Sequence, residues 1–521
     1  MKVFKTLLSL LMAICLVFSM TVIPASAEGF VYDFDAHCKS IYMFSLDNNE
    51  CVYALNPDEQ RAIASLTKIM TYIVAYENIP DIENTKITVS SKVEEELEGT
   101  GSSLAGIYVG EEFTGLQLLN LMMIPSGNDA ALTLAIYVDE HKEEISARRQ
   151  AQAKVDAAQS SADAENSGDE EYIETEAKDI PNPVAVNDYD DEFEFDKEYE
   201  ENETEGSRAV SAYSTYFVSL MNAKARELGC MDTHFTNPHG LYDPNHYSTA
   251  RDVAKIVKYA TTLPYFTEIT GSTEYFIPET NICDEERYVS STNKMMSKLD
   301  DDYEYYYSYC NGIKTGSLNE SGYCIAASAT YEGYSYVAIC LGSPMVDSTG
   351  EEIDYHGEMI DAAELFRWAF VNLSLKNVAE AGDLLGEVSL EYAWNADKLQ
   401  VVAGDNVSAL LPDDVEASSI LTEVELPEKV QAPVKKGDRI GSATFTYAGD
   451  RIATVDLVAG ESIERSEVIQ TIETGKKVVS SPLFILVGAA LLIVVILYIV
   501  IVVAYNRRKK RMRQIKRYRN L

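Results

Sequence analysis

Apolar and polar residues alternate along this chain with more than one period, and each period predicts a different element. From Ser40 the stretch SIYMFSLDNNECVYALNPD switches residue by residue on either side of Asp47-Asn48-Asn49, which predicts a β-hairpin turning at those residues. After Ser65 the spacing becomes helical, with Ile69, Met70, Ile73 and Val74 on one face, and so predicts a buried helix. A second apolar helix is predicted after Asn128, and a third opens at Arg251 and Asp252 with Ser248 or Thr249 as its cap. Strand and helix patterns are mixed throughout residues 28–376, which gives an α+β reading. Over residues 380–470 alternation returns alone, in GEVSLEYAW and SATFTYAGDRIATVDLVAG, with a hairpin turn at Ala448-Gly449-Asp450; this predicts a small all-β domain.

Three stretches fit neither domain. Residues 1–27 carry two lysines, an apolar run and Ala25-Ser26-Ala27, the pattern of a cleaved secretory signal. Residues 483–505 are uncharged and long enough to cross a bilayer core of about 30 Å as a helix. The basic tail 506–521 predicts a cytoplasmic C-terminus and an extracytoplasmic catalytic region, hence a single-pass cell-membrane protein. Between residues 142 and 207 the chain is rich in Asp, Glu, Ala and Ser and poor in apolar residues, which predicts an acidic, disordered insertion whose first third extends a helix.

Charge and composition narrow the chemistry. The net charge is −40, and more negative still between the basic ends, so nucleic acid is excluded as a partner. Seven cysteines remain after the leader, at irregular spacing and without C-x-x-C, which points to buried thiols rather than a disulfide framework or a zinc site. The six histidines show no metal-ligand spacing, so no metal is expected.

The positive signal is a lysine in the apolar helix. Ser65 and Lys68 are three residues apart and share a helix face beside its positive end. Desolvation lowers a lysine's pKa toward that of a base, and a serine beside a neutral amine is an activated nucleophile. S-x-x-K is a short pattern, and Ser291–Lys294 repeats it without an apolar helix behind. The first copy gains weight from two motifs downstream: Ser126-Gly127-Asn128 before the second apolar helix, then Lys314-Thr315-Gly316 ending a strand from which a hairpin returns.

In that order the three motifs resemble the signature of serine penicillin-binding proteins and β-lactamases. With IASLTKIMT, PSGNDAA, KARELGCMDTHFTNPHGLYDPNHYSTARD and NGIKTGSLNESGYCIAASA around them, residues 30–370 are similar to the low-molecular-mass D-alanyl-D-alanine carboxypeptidases, peptidase S11 type, apart from the insertion. The resemblance implies a penicillin-binding/β-lactamase-like catalytic domain, an antiparallel sheet flanked by helices plus a helical subdomain. It implies Ser65 as nucleophile on the bond between the terminal D-alanines of a peptidoglycan stem peptide, Lys68 as general base and Ser126 as proton relay to the departing D-alanine. Asn128 is expected to hold the substrate amide, Lys314 and Thr315 its carboxylate, with Gly316 leaving room along the strand edge. Main-chain N–H groups of Ser65 and Ser317 are expected to form the oxyanion hole, and Lys314 to help keep Lys68 neutral. β-Lactams are implied as covalent ligands, and no cofactor is. Two other readings compete. A class A-like β-lactamase is opposed by Gly127, where that class has Asp, and by the lack of a glutamate-bearing deacylation loop. A non-enzymatic membrane β-lactam sensor or wall-binding module is opposed by the short tail and the intact motifs. His239, in NPHGL, reads as part of a turn rather than as a catalytic base.

Overall fold

The computed structural model describes residues 30, 32–151, 154, 210–298, 303–347, 349–353, 355–393, 396–447, 450–466 and 481–518. The predicted leader, nearly all of the predicted acidic insertion and two residues of the predicted turn, Ala448 and Gly449, lie outside them; within the insertion, residues 142–151 are helical. The chain divides into two compact units, Met1–Asn372 and Leu373–Leu521.

The first unit opens with the expected hairpin, β1 (Ser40–Ser45) against β2 (Cys51–Leu55). A 3-10 turn, Ala64–Leu66, leads into α1 (Thr67–Asn78), and α2 (Ser91–Leu97) lies between the short paired strands β3 (Lys86–Thr88) and β4 (Glu112–Thr114). Helix α3 (Gly115–Met123) begins with a reciprocal cap: the Gln117 N–H donates to Thr114 Oγ1 and the Thr114 N–H to Gln117 Oε1 at 2.7 Å. Helices α4 (Asn128–Glu140), α5 (Thr215–Glu227) and α6 (Ala250–Ala260) follow, and of the two expected caps for α6 it is Thr249 that accepts the Asp252 N–H, at 3.1 Å.

A hairpin of β5 (Glu274–Ile277) and β6 (Arg287–Ser290) precedes β7 (Cys310–Leu318), β8 (Gly322–Tyr331) and β9 (Tyr334–Ser343). These three join the first hairpin in an antiparallel sheet ordered β2-β1-β9-β8-β7, which leaves β7 at one edge. Every residue of β9 from Tyr336 onward is buried, so the sheet is covered on both faces, in part by α6 and by α7 (Gly357–Asn372). The core of α1, α3 and α4 packs Ile69, Tyr72, Ile73, Leu119, Met122 and Leu132 at zero exposure. Before β7, Tyr305 and Tyr307 are buried while Tyr309 is exposed, and the Tyr305 hydroxyl accepts the His356 N–H.

Among the described residues, the second unit before its last helix is built of β-strands with one 3-10 turn, Ala417–Ser419. Its first strand, β10 (Leu373–Ala379), starts as soon as α7 ends, earlier than the texture of the sequence suggests, and pairs with β13 (Val407–Pro412). The remaining strands β11 (Leu384–Glu391), β12 (Lys398–Ala403), β14 (Leu421–Glu425), β15 (Lys429–Gln431), β16 (Arg439–Tyr447) and β17 (Asp450–Ala459) form one six-stranded sheet around Leu399, Val401, Phe445 and Leu457. Helix α8 (Pro482–Tyr518) contains a stretch, Phe484–Lys510, long and apolar enough to cross a membrane by length and composition.

Candidate active site

Ser65 lies one step before the position its sequence predicts, in the 3-10 turn that precedes α1 rather than in the helix itself. The turn is forced by its neighbours. Ala64 adopts φ 46°, a left-handed value uncommon for a residue with a side chain, and Gly240 approaches so closely that an added Cβ would stand 2.0 Å from the Ala64 carbonyl oxygen. Thr67 ties the turn down. Its hydroxyl donates to the Ala64 carbonyl at 2.8 Å and lies 2.7 Å from His246 Nε2, while His246 Nδ1 accepts the Thr236 N–H. That acceptor role leaves the imidazole proton on Nε2, directed at Thr67, and burial holds the ring neutral by pushing its pKa down to about 3.

Lys68, one turn into the helix, has no exposed surface. Its Nζ lies 2.8 Å from Ser65 Oγ, 2.6 Å from Asn128 Oδ1 and 2.8 Å from the His239 carbonyl oxygen. Burial holds its pKa well below the usual lysine value, the nearby Lys314 lowers it further, and Asp129 acts in the opposite sense. A neutral amine has two N–H bonds and one lone pair. Asn128 Oδ1 and the His239 carbonyl accept only, so in that form they would take the two N–H groups and leave the lone pair to face the Ser65 hydroxyl.

Asn128 starts α4, while Ser126, also buried, sits two residues earlier at φ 64°. Gly127 between them is obligatory, because a Cβ there would stand 2.7 Å from both Ala105 Cβ and the Leu121 carbonyl oxygen. Asp129, which no motif singled out, fixes the facing loop. Its carboxylate accepts the N–H groups of Ala105 (2.8 Å), Gly106 (3.0 Å) and Ile107 (3.3 Å), and the Asn128 N–H donates to the Ser103 carbonyl.

The Lys-Thr-Gly motif lies within β7 rather than at its end, on the edge strand beside the Ser65 turn. Lys314 is buried, with Nζ 3.0 Å from the Thr315 carbonyl oxygen, and burial lowers its pKa to about 7. Gly316 has a packing reason beyond access to the strand: a Cβ there would stand 2.9 Å from Ser65 N and 3.0 Å from the Ile63 carbonyl oxygen. Ser317 is exposed one residue on. The segment holding the second S-x-x-K also reaches this place. The Thr292 hydroxyl is within hydrogen-bond reach of the Thr315 hydroxyl, the Thr292 N–H donates to the Ile124 carbonyl, and Asn293 Nδ2 donates to the Gly312 carbonyl. The structure thus gathers Ser65, Lys68 and Asn128 by direct contact and sets Gly316 against the Ser65 turn. No group of three His, Cys, Asp or Glu side chains placed for a metal occurs among the described residues.

The sequence profile of the D-alanyl-D-alanine carboxypeptidases matches residues 27–150 and 208–345, and that of the penicillin-binding protein 5 C-terminal domain matches residues 374–465. The chain is 24% identical over 433 residues to D-alanyl-D-alanine carboxypeptidase DacF of Bacillus subtilis, covering 83% of this chain and 87% of that one. It is 29% identical over 252 residues to DacA of Haemophilus influenzae, over 48% of this chain and 58% of that one. Its fold is shared with penicillin binding protein 5 of Haemophilus influenzae, at TM-score 0.56 and 22% identity over 84% of this chain and 100% of that one. The chain belongs to the D-alanyl-D-alanine carboxypeptidase family of serine peptidases, peptidase S11.

Proposed function

We propose that this protein removes the terminal D-alanine from peptidoglycan stem peptides through an acyl-enzyme on Ser65. The observation that carries the proposal is the buried Lys68 amine, with two carbonyl acceptors and one serine hydroxyl around its Nζ. In this reading the Ser65 hydroxyl proton passes to Lys68 as Oγ attacks the carbonyl carbon of the penultimate D-alanine. The oxyanion is met by the Ser65 and Ser317 N–H groups, one such donor being worth about 3 kcal/mol. Collapse breaks the peptide bond, Ser126 relays a proton to the leaving amine, and D-alanine departs. Water then cleaves the ester and restores Ser65. Asn128 holds the substrate amide, and Lys314 with Thr315 receives the terminal carboxylate. A β-lactam enters the same path and stalls at the ester.

The leader, the apolar part of α8 and the basic tail support a secreted, single-pass protein whose catalytic unit faces the wall and whose C-terminus is cytoplasmic. The test is release of D-alanine from a D-Ala-D-Ala peptide by the full chain, with mass mapping of the residue labelled by a fluorescent penicillin. Labelling anywhere but Ser65, or no release, overturns the proposal.

A further inference from the structure

The His239 carbonyl that holds Lys68 belongs to a residue whose ring meets an unexplained carboxylate. His239 Nδ1 accepts the Leu241 N–H at 3.3 Å, so the neutral imidazole carries its proton on Nε2. That nitrogen is buried, has no hydrogen-bond partner among the described residues, and lies 3.5 Å from Glu96 Oε1. Both Glu96 oxygens are likewise buried without a hydrogen-bond partner among the described residues, and the two side chains are 2% and 12% exposed. Leaving two such groups unpaired is costly, and each is the partner the other lacks. The contact needs only a few tenths of an ångström to become a charge-assisted hydrogen bond, of the kind that tightens when a site is occupied.

Around this pair the turn 237–241 serves both halves of the nucleophile. Asn237 Oδ1 accepts the Gly240 N–H at 2.7 Å, Gly240 packs on the Ala64 carbonyl, and the His239 carbonyl holds Lys68. Glu96 comes from α2, and the chain leaving that helix runs into the loop that Asp129 fastens.

We propose that Glu96 is a positioning residue for the acyl transfer: its carboxylate accepts the His239 Nε2–H and so keeps the His239 carbonyl on Lys68. The inference rests on the Ser65–Lys68 reading above. Around the pair, Lys314 and Asp129 act on Lys68 and His246 lies behind His239, while on the outer side of α2 Lys92 pairs with Glu140 and Glu95 with Tyr213.

The experiment measures the second-order rate of Ser65 labelling by a fluorescent penicillin across pH, for the full chain and for Glu96→Ala and Glu96→Gln. Glu96→Ala is expected to slow labelling about tenfold, the order of loss that a misplaced catalytic group brings. Glu96→Gln, which keeps an acceptor oxygen, is expected to stay within about threefold of the unmodified chain. In both variants the acid limb moves to lower pH, because loss of an anion lowers the Lys68 pKa. Glu96→Gln has the same shape as the native residue and serves where Glu96→Ala fails to fold. An unmoved limb in Glu96→Gln, or native labelling rates in Glu96→Ala, overturns this inference alone. Failure of the unmodified chain to label at Ser65 overturns it together with the proposed function.

Discussion

The chain carries the pattern S-x-x-K twice, and the two copies have different fates. At Ser65–Lys68 the lysine is fully buried, and its Nζ stands 2.8 Å from the serine hydroxyl. At Ser291–Lys294 the residues are not helical. The Ser291 hydroxyl accepts the Asn293 N–H, and the Lys294 ammonium rests over the Tyr305 ring at 5.8 Å. Spacing is the same in both; what differs is the turn into α1 that brings i and i+3 together and the burial that lowers the amine's pKa. The tetrapeptide is therefore an address for chemistry only where the fold supplies burial.

The sharpest break of that contrast is Lys68→Ala, expected to slow acylation of Ser65 by at least about 10³-fold in a fluorescent-penicillin assay. Next comes Gly316→Ala. Its Cβ would stand 2.9 Å from Ser65 N, and the resulting displacement of the turn is expected to slow acylation by about 10- to 100-fold with a normal thermal transition.

Lys314→Met sharpens the contrast through pH. Acylation should rise as pH passes upward through the lowered Lys68 pKa; removing the neighbouring cation raises that pKa, so the limb moves to higher pH in a rate–pH profile. The same variant should be more stable at pH 7 by about 2 kcal/mol in denaturant unfolding, since it relieves a buried amine. The sign comes from a folded pKa of about 7 against 10.5 when unfolded: unfolding takes up a proton between those values, so native stability rises with pH and the gain from Met fades as pH approaches 10.5. The smallest effect is expected from Lys294→Ala, within about twofold of native acylation, because a partly exposed cation over one ring is worth about 1 kcal/mol at most.

Much of this was legible in the sequence because it is local. The β1–β2 hairpin, the buried α1, the all-β segment and the three motifs each occupy a few consecutive residues, with a period or turn chemistry of their own. What escaped is made by the main chain or by residues distant along it. The His239 carbonyl on Lys68 leaves no trace in residue type, since any residue has that oxygen. Glu96 looks like one of four glutamates in a charged run, and only the fold shows that it turns inward while Glu94, Glu95 and Glu98 stay exposed. Asp129 was visible only as the residue after a motif, and its loop contacts depend on how residues 103–107 fold back. The 3-10 start before α1 was hidden too, because the crowding that imposes it comes from Gly240, far along the chain from Ala64.

A lysine without its charge is ordinarily the side chain that cyanates, aldehydes and active esters find first. Lys68 is spared that chemistry by its own contacts, since its Nζ is held by Ser65, Asn128 and the His239 carbonyl and no part of the side chain meets solvent. Amine reagents should therefore exhaust the surface lysines before they reach Lys68.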